Sequence, residues 1–417
     1  MKPTDLRHSQ FVPVSVAAAV LLALSSLLPV ENAYADDSVS VIHGRMSHES
    51  SNQQGRFAFK LNGDLDFTDA EDDVARINGK AVFRETRDGH TREMRFESGS
   101  GGSVARTYQF DGHEHVVDAD AKRWLAGAIT ATIRDTGVNA DKRCKRLFKN
   151  GGADAVLAEI DKIDSDYARR LYIITLAGLT PLDATAQMHL LTDVKAMKAD
   201  FERRTAYVEI IDKQNLNAAT MSTLLAGVAA MQADFEKRAT LVELAPRLIV
   251  DDGVRQGWMT AMKSMQADFE ERTVVVELVK NSNPVIHTDW ALASANGINS
   301  AFERRTALVA IADTMQRPDS AQVQAFVKSC KRIDTDFERR TVLVALLDKA
   351  TLDKAGYAAV LDATDGMSAS SEIRAVLVAI ARKMPPDSDL AARYRQVAQR
   401  LGQTEREQAE QALAHAG

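Results

Sequence analysis

Apolar residues recur along this chain in two rhythms, and the change from one to the other falls near Val117. From Gly55 to Val117 they alternate with polar ones, as in Arg56-Phe57-Ala58-Phe59-Lys60-Leu61, Ala81-Val82-Phe83-Arg84, Met94-Arg95-Phe96 and Tyr108-Gln109-Phe110. A period of two puts alternate side chains on one face of a strand. Asn62-Gly63, Asn78-Gly79, Asp88-Gly89 and Asp111-Gly112 interrupt the alternation, and such pairs favour the tight turns of hairpins. The pattern predicts an antiparallel meander of five or six strands over residues 55–117. The polar segment 36–54 reads as flexible.

Beyond Val117 the period becomes helical. Trp124, Leu125, Ala128, Ile129 and Ile133 form one stripe of a helix opened by Asp118 or Asp120. Gly137 and Asn139 end it, and a second helix follows from Ala140 to Lys149. Residues 118–151 therefore connect the sheet to the next region.

From 152 to 384 a unit of 34 residues occurs seven times, tagged by Asp-aromatic-Glu-Arg-Arg, as in Asp200-Phe201-Glu202-Arg203-Arg204 and Asp336-Phe337-Glu338-Arg339-Arg340. Ahead of each tag lies one apolar helical face, Leu190, Leu191, Val194 and Met197 in the second copy, Phe326, Val327, Cys330 and Ile333 in the sixth. The tag aspartate is expected to be the N-cap of the following helix. Asp183, Asn217, Asp251, Asp319, Asp353 and Asp387 are expected to cap the preceding one. The fifth copy breaks both series, with Pro284, His287 and Thr288 at its start and Ala301 in place of the tag aspartate. A fixed period of this length means stacked helix pairs, a solenoid with a long surface. Residues 385–417 supply polar helices that close its end.

Comparison among copies separates the two tag arginines. The second is nearly invariant: Arg170, Arg204, Arg238, Arg272, Arg305, Arg340 and Arg374. Lying in a stripe with Phe201, Thr205 and Val208, it is expected to pair with tag carboxylates or helix-end carbonyls of the adjacent repeat as a structural ladder. Its neighbour varies, which suggests solvation and makes Arg203, Lys237, Glu271, Arg304 and Arg339 the candidate partner contacts. The tag aromatics are expected to pack between helices, the alternative being a stripe that grips a peptide or base.

The first 35 residues have charged, apolar and small-residue regions in the order of a secretory signal peptide, with cleavage after Ala35. They imply a periplasmic or secreted protein with no stable membrane span after cleavage; retention as an anchor is the alternative. A net charge of −6 and a pI near 5.9 oppose a broad nucleic-acid face. Cys144 and Cys330 are too far apart in a linear stack to bridge and read as buried free thiols. His113-Glu114-His115 lacks the further ligands of a metal site, and no nucleophile elbow, zinc helix or phosphate loop occurs. The residues thus predict no enzyme, no cofactor and no metal.

The β-rich segment, the Trp124 helix, the string Gly152-Ala153-Asp154-Ala155-Val156-Leu157-Ala158-Glu159-Ile160 and the tag series resemble uncharacterised exported bacterial helical-repeat proteins of HEAT- or TPR-like type. They are also similar to the extracytoplasmic repeats of some membrane zinc-peptidase sensors. The resemblance implies a scaffold; the sensors' zinc motif and membrane helices are missing here, so it implies no peptidase activity. The expectation is an α+β chain, a small antiparallel meander followed by an all-α solenoid, that binds an envelope protein or peptide. The alternative places a ligand-sensing or attachment function in the β domain, with the solenoid as spacer.

Overall fold

The computed structural model describes residues 38–42, 45–52, 55–281 and 284–415, so the leader region 1–35 lies outside the described residues. The chain is α+β, a meander followed by helix pairs. The strands are β1 (Ser38–Ile42), β2 (Arg45–Asn52), β3 (Gly55–Phe67), β4 (Val74–Arg87), β5 (His90–Ser98), β6 (Val104–Phe110) and β7 (His113–His115). Each pairs antiparallel with the next.

Within the segment expected to be flexible, 36–54, the described residues 38–42 and 45–52 instead form β1 and β2, and the sheet has seven strands among the described residues. The alternation in β2 was concealed because its inward position is a histidine. His48 is buried opposite Phe59, with Nε2 3.2 Å from Asp135 Oδ2. Two of the four expected turns are also absent. Asp88-Gly89 and Asp111-Gly112 have positive φ at both residues and close hairpins as expected. Asn62-Gly63 and Asn78-Gly79 lie inside β3 and β4, where Gly63 faces Gly79. A Cβ on Gly63 would lie 1.8 Å from the Asn78 oxygen, so these glycines permit close strand approach.

Phe59, Phe83, Met94 and Phe96 fill the inner face of the sheet, and Phe83 makes an edge contact with Phe96 at 6.0 Å. Leu125, Ile129 and Ile133 are buried on helix α1 (Ala119–Thr136), capped by Asp118. Trp124 Nε1 on α1 donates to Glu85 of β4 at 2.7 Å and ties helix to sheet. Helix α2 (Ala140–Ile160) is broken by non-helical Gly151 and Gly152, where the first repeat begins.

The repeats supply α3 (Asp166–Leu179) and α4 (Ala184–Ala196), α5 (Asp200–Lys213) and α6 (Ala218–Ala229), α7 (Asp234–Leu244) and α8 (Asp252–Lys263). They continue with α9 (Asp268–Asn281) and α10 (Pro284–Ala295), α11 (Ala301–Ala312) and α12 (Ser320–Cys330), α13 (Asp336–Lys349) and α14 (Lys354–Asp362). Helices α15 (Ser370–Ala381), α16 (Ser388–Ala398) and α17 (Gln403–Ala414) end the array. Odd-numbered helices from α3 pack in one row and even-numbered ones from α2 in another. The apolar residues of the second and sixth copies named above are all buried. Asp183, Asn217, Asp251, Asp319, Asp353 and Asp387 each cap an even-numbered helix.

Cys144 and Cys330 are buried free thiols, and burial raises both to a pKa of about 12. Among the described residues, no helix is long and apolar enough to cross a membrane. Tyr394 Oη donates to the Ala409 carbonyl at 2.8 Å, seating α17 against α16.

Candidate functional site

The tag aspartate is the first residue of its helix and not the N-cap; Ser165, Ala199, Ala233 and Thr335 hold that place in four copies. Its carboxylate reaches into the next repeat. Asp200 Oδ2 accepts from the backbone N–H groups of Gln232 and Ala233 at 2.6 and 2.8 Å, and Asp234 Oδ2 does the same with Gln266 and Ala267. Asp166, Asp268 and Asp336 repeat the contact. Each thus serves orphan amide groups just ahead of its neighbour's helix, which capping logic assigns to a local side chain.

Burial opposes ionisation of Asp234, but the two amides and Lys237 together hold its carboxyl below the usual range. A depressed pKa means the contact stabilises above the ordinary carboxylate range and is lost as pH falls through the folded value. Ala301 cannot accept from the equivalent amides of Asp334 and Thr335. Ala301→Asp is expected to raise stability by about 1 kcal/mol in chemical denaturation, the worth of one cap.

The second tag arginines form a ladder across the odd-numbered row. Arg204 Nε lies 2.7 Å from Glu236, Arg272 Nε 2.7 Å from Glu303 and Arg340 Nε 2.8 Å from Glu372. Arg170, Arg238 and Arg305 pair likewise with Glu202, Glu270 and Glu338, while Arg374 meets Gln408. Each guanidinium from Arg204 to Arg340 also lies over its own tag ring, 4.5–4.8 Å from the centroid, and Arg170 lies 5.1 Å from Tyr167. Cation–π contact of this kind is worth about 0.5–1 kcal/mol at an exposed site.

The aromatics themselves are not packed between helices. Tyr167 is 39% exposed and Phe201, Phe235, Phe269, Phe302 and Phe337 are 50–56% exposed, one per repeat along the row. Exposed apolar side chains aligned in this way mark a contact surface better than singly scattered ones do. The ladder restrains each ring from beneath: arginine on the ring, glutamate of the next repeat on the arginine. Little ordering entropy then remains to be lost when a ligand covers the rings.

The expected contacts face the other way. Lys237, Glu271, Arg304 and Arg339 are buried, and the Arg203 side chain is only 14% exposed. Their position varies because different buried side chains solve one local problem, not because water surrounds it. Arg339 donates to the carbonyls of Lys331, Ile333 and Asp365, Lys237 to that of Ser264, and Arg304 to that of Ile298. In the seventh copy Ile373 is simply buried.

The reversal has a geometric cause. The core stripe of α5 is Ala206, Tyr207, Ile210 and Ile211, and Arg203 continues it towards the N-terminus at helical spacing. Phe201, Arg204, Thr205 and Val208 lie on the adjoining face. Apolar pairs at 206/207 and 210/211, 307/308 and 311/312, and 342/343 and 346/347 carried that signal.

Two other features lie outside the row. A cleft of about 660 Å³ between the sheet and α1 is lined by Phe57, His90, Arg92, Phe110, Arg123 and Trp124. Asp161, His189 and Asp193 place one metal-type ligand atom each within 4.8 Å of one another. His189 Nε2 lies 2.9 Å from Asp161 Oδ1 and 3.8 Å from Asp193 Oδ2, and its bond to Asp161 is the first cause raising its pKa. His113 and His115 lie on the exposed edge strand β7.

Fold and surface together define a helical-repeat chain with an N-terminal antiparallel sheet. Compared with protein-family models, with curated proteins and with solved structures, the chain matches none.

Proposed function

We propose that this protein is a non-enzymatic interaction scaffold whose solenoid binds an envelope protein or peptide through the stripe Tyr167, Phe201, Phe235, Phe269, Phe302 and Phe337. The observation that carries the reading is six aromatic rings half-exposed in register, each backed by a paired arginine. Aromatic and arginine side chains are enriched among residues that dominate binding energy at interfaces. Pairing of every ladder arginine from Arg170 to Arg340 leaves the stripe near neutral, so apolar contact sets affinity. The leader-like residues 1–35 support action outside the cytoplasm.

A photoreactive benzoylphenylalanine at position 235 or 302 tests the assignment, with a control at Thr260 on the exposed side of α8. In envelope extract, the stripe positions are expected to yield one cross-linked species that the control does not. Equal labelling at all three positions would remove the stripe as the contact. The cleft beneath β4 and α1 favours a second reading, in which the sheet binds a small aromatic or anionic ligand beside Arg92 and Arg123. Cross-links absent from the stripe, with ligand-induced changes at Trp124 fluorescence, would select it.

A further inference from the structure

Five tag helices bury or half-bury a cation at one equivalent place: Arg169, Arg203, Lys237, Arg304 and Arg339. The cation's partners follow a rule. Arg169, Arg304 and Arg339 donate to the carbonyl four residues ahead of their own tag aromatic, that of Ile163, Ile298 or Ile333. Arg203 and Lys237 donate to the carbonyl five residues ahead of the next copy's aromatic, that of Ala230 or Ser264. Lys237 Nζ also donates to Asp234 Oδ1 at 3.1 Å, so oxygen atoms surround this place from several sides.

In the fourth copy the same place holds Glu271. It is 4% exposed, and its Oε2 is sealed from the surface and accepts no hydrogen bond from the described residues. The equivalent carbonyls are those of Met265 and Gly297, with Asp268 standing where Asp234 stands beside Lys237. Oxygen chemistry that elsewhere encloses a cation is retained here, and the cation is replaced by a carboxylate. Arg304, whose charge acts on Glu271, donates from Nη2 to the Ile298 carbonyl, makes no ion pair with Glu271 among the described contacts, and keeps a buried Nε without a partner.

Space accompanies the charge reversal. A cavity of about 440 Å³ opens beside Glu271, walled by Met259, Met262 and Met265 with Asn296, Gly297 and Asn299. A Cβ on Gly297 would lie 2.4 Å from Glu271 Oε2, so the missing side chain at 297 is what leaves the carboxylate its room. Thioether walls adapt to an aliphatic stem, and a buried carboxylate demands a cation at the end of it. Lys263 lines the cavity, but its residue is exposed and it makes no ion pair with Glu271 among the described contacts.

We propose that this cavity binds a cationic group on an aliphatic stem, the chemistry of a lysine side chain or of a free alkylamine, with Glu271 as its counter-ion. The ligand restores from outside the charge that the chain supplies itself in five other copies. Burial first, then the like charges of Asp268 and Asp234, raise the Glu271 carboxyl to about 7, against the pull of Arg304. Binding therefore strengthens as pH rises through that value.

Saturation-transfer NMR on the full chain tests this with n-butylammonium, the blocked tripeptide acetyl-Gly-Lys-Gly-amide, and n-butanol as neutral isostere. At pH 8 saturable binding of butylammonium and none of butanol is expected, weakening about tenfold at pH 6 as the carboxyl protonates. Glu271→Gln, close in shape to the protonated acid, is expected to lose at least tenfold at pH 8. Glu271→Arg should fill the place as Arg304 and Arg339 do, abolishing binding and raising the thermal midpoint. Tripeptide binding with the same dependence on Glu271 would identify lysine side chains as admissible, and amine binding alone would restrict the site to small amines. Unchanged affinity in Glu271→Gln, equal binding of butanol, no saturation at pH 8, or a lowered midpoint in Glu271→Arg overturns the assignment.

Discussion

Arg339→Ala is expected to cost about 3–5 kcal/mol in urea unfolding, whereas Arg340→Ala, one residue on, should cost about 1 kcal/mol. The two side chains differ in what they leave behind. Arg339 is 6% exposed and donates to Ile333 and Asp365 at 2.9 Å and to Lys331 at 3.1 Å. Alanine there strands the buried Ile333 carbonyl and loses the part-buried contacts to Lys331 and Asp365, and it opens a cavity the length of the lost stem. Arg340, its side chain 26% exposed, sits on Phe337 with Glu372 alongside, where solvent takes over part of what the pair supplies. In a repeat array the loss is read as a shifted midpoint of the affected unfolding step, since neighbouring repeats couple only locally. Equal costs at the two positions would contradict the inward assignment of Arg339.

Replacing Phe201, Phe235, Phe269 and Phe302 together by alanine is expected to weaken partner capture by at least about 100-fold. Covering a half-exposed ring returns roughly 1 kcal/mol or more, so four rings carry well over the 2.7 kcal/mol that a hundredfold change represents. Folding is weakened as well, since each half-buried ring loses its arginine stacking, about 0.5–1 kcal/mol each and about 2–4 kcal/mol for the four. Capture by immobilised partner and a thermal melt on the same sample separate the two effects. A variant still folded at the capture temperature that captures as well as the parent would remove the stripe from the interface.

Phe201, Glu202, Arg203 and Arg204 show how far reading from residues alone extends. Their repetition revealed the unit and its period, and the near-invariance of Arg204 and its equivalents pointed to a partnered role. The direction each side chain faces did not follow. Variation at 203, 237, 271, 304 and 339 resembles what solvent permits, but a buried site can also tolerate change when arginine, lysine and isoleucine each satisfy it differently. The tag aspartates misled for a related reason: Asp-x-x at a helix start fits a local cap, yet the acceptors serve amides 32 and 33 residues later. The first two strands were hidden because β2 turns His48 to the core in place of an apolar residue.

Periodicity was enough to establish the α+β order, the helix pairs and the caps of the even-numbered helices, since these depend on contacts within a few residues of one another. The aromatic stripe, the inward cations and the isolated carboxylate of Glu271 depend on which neighbour a repeat meets. Stacking decides that, because a helix surface a few residues wide has two adjoining faces of similar composition, and only the position of the next helix determines which one is closed to water.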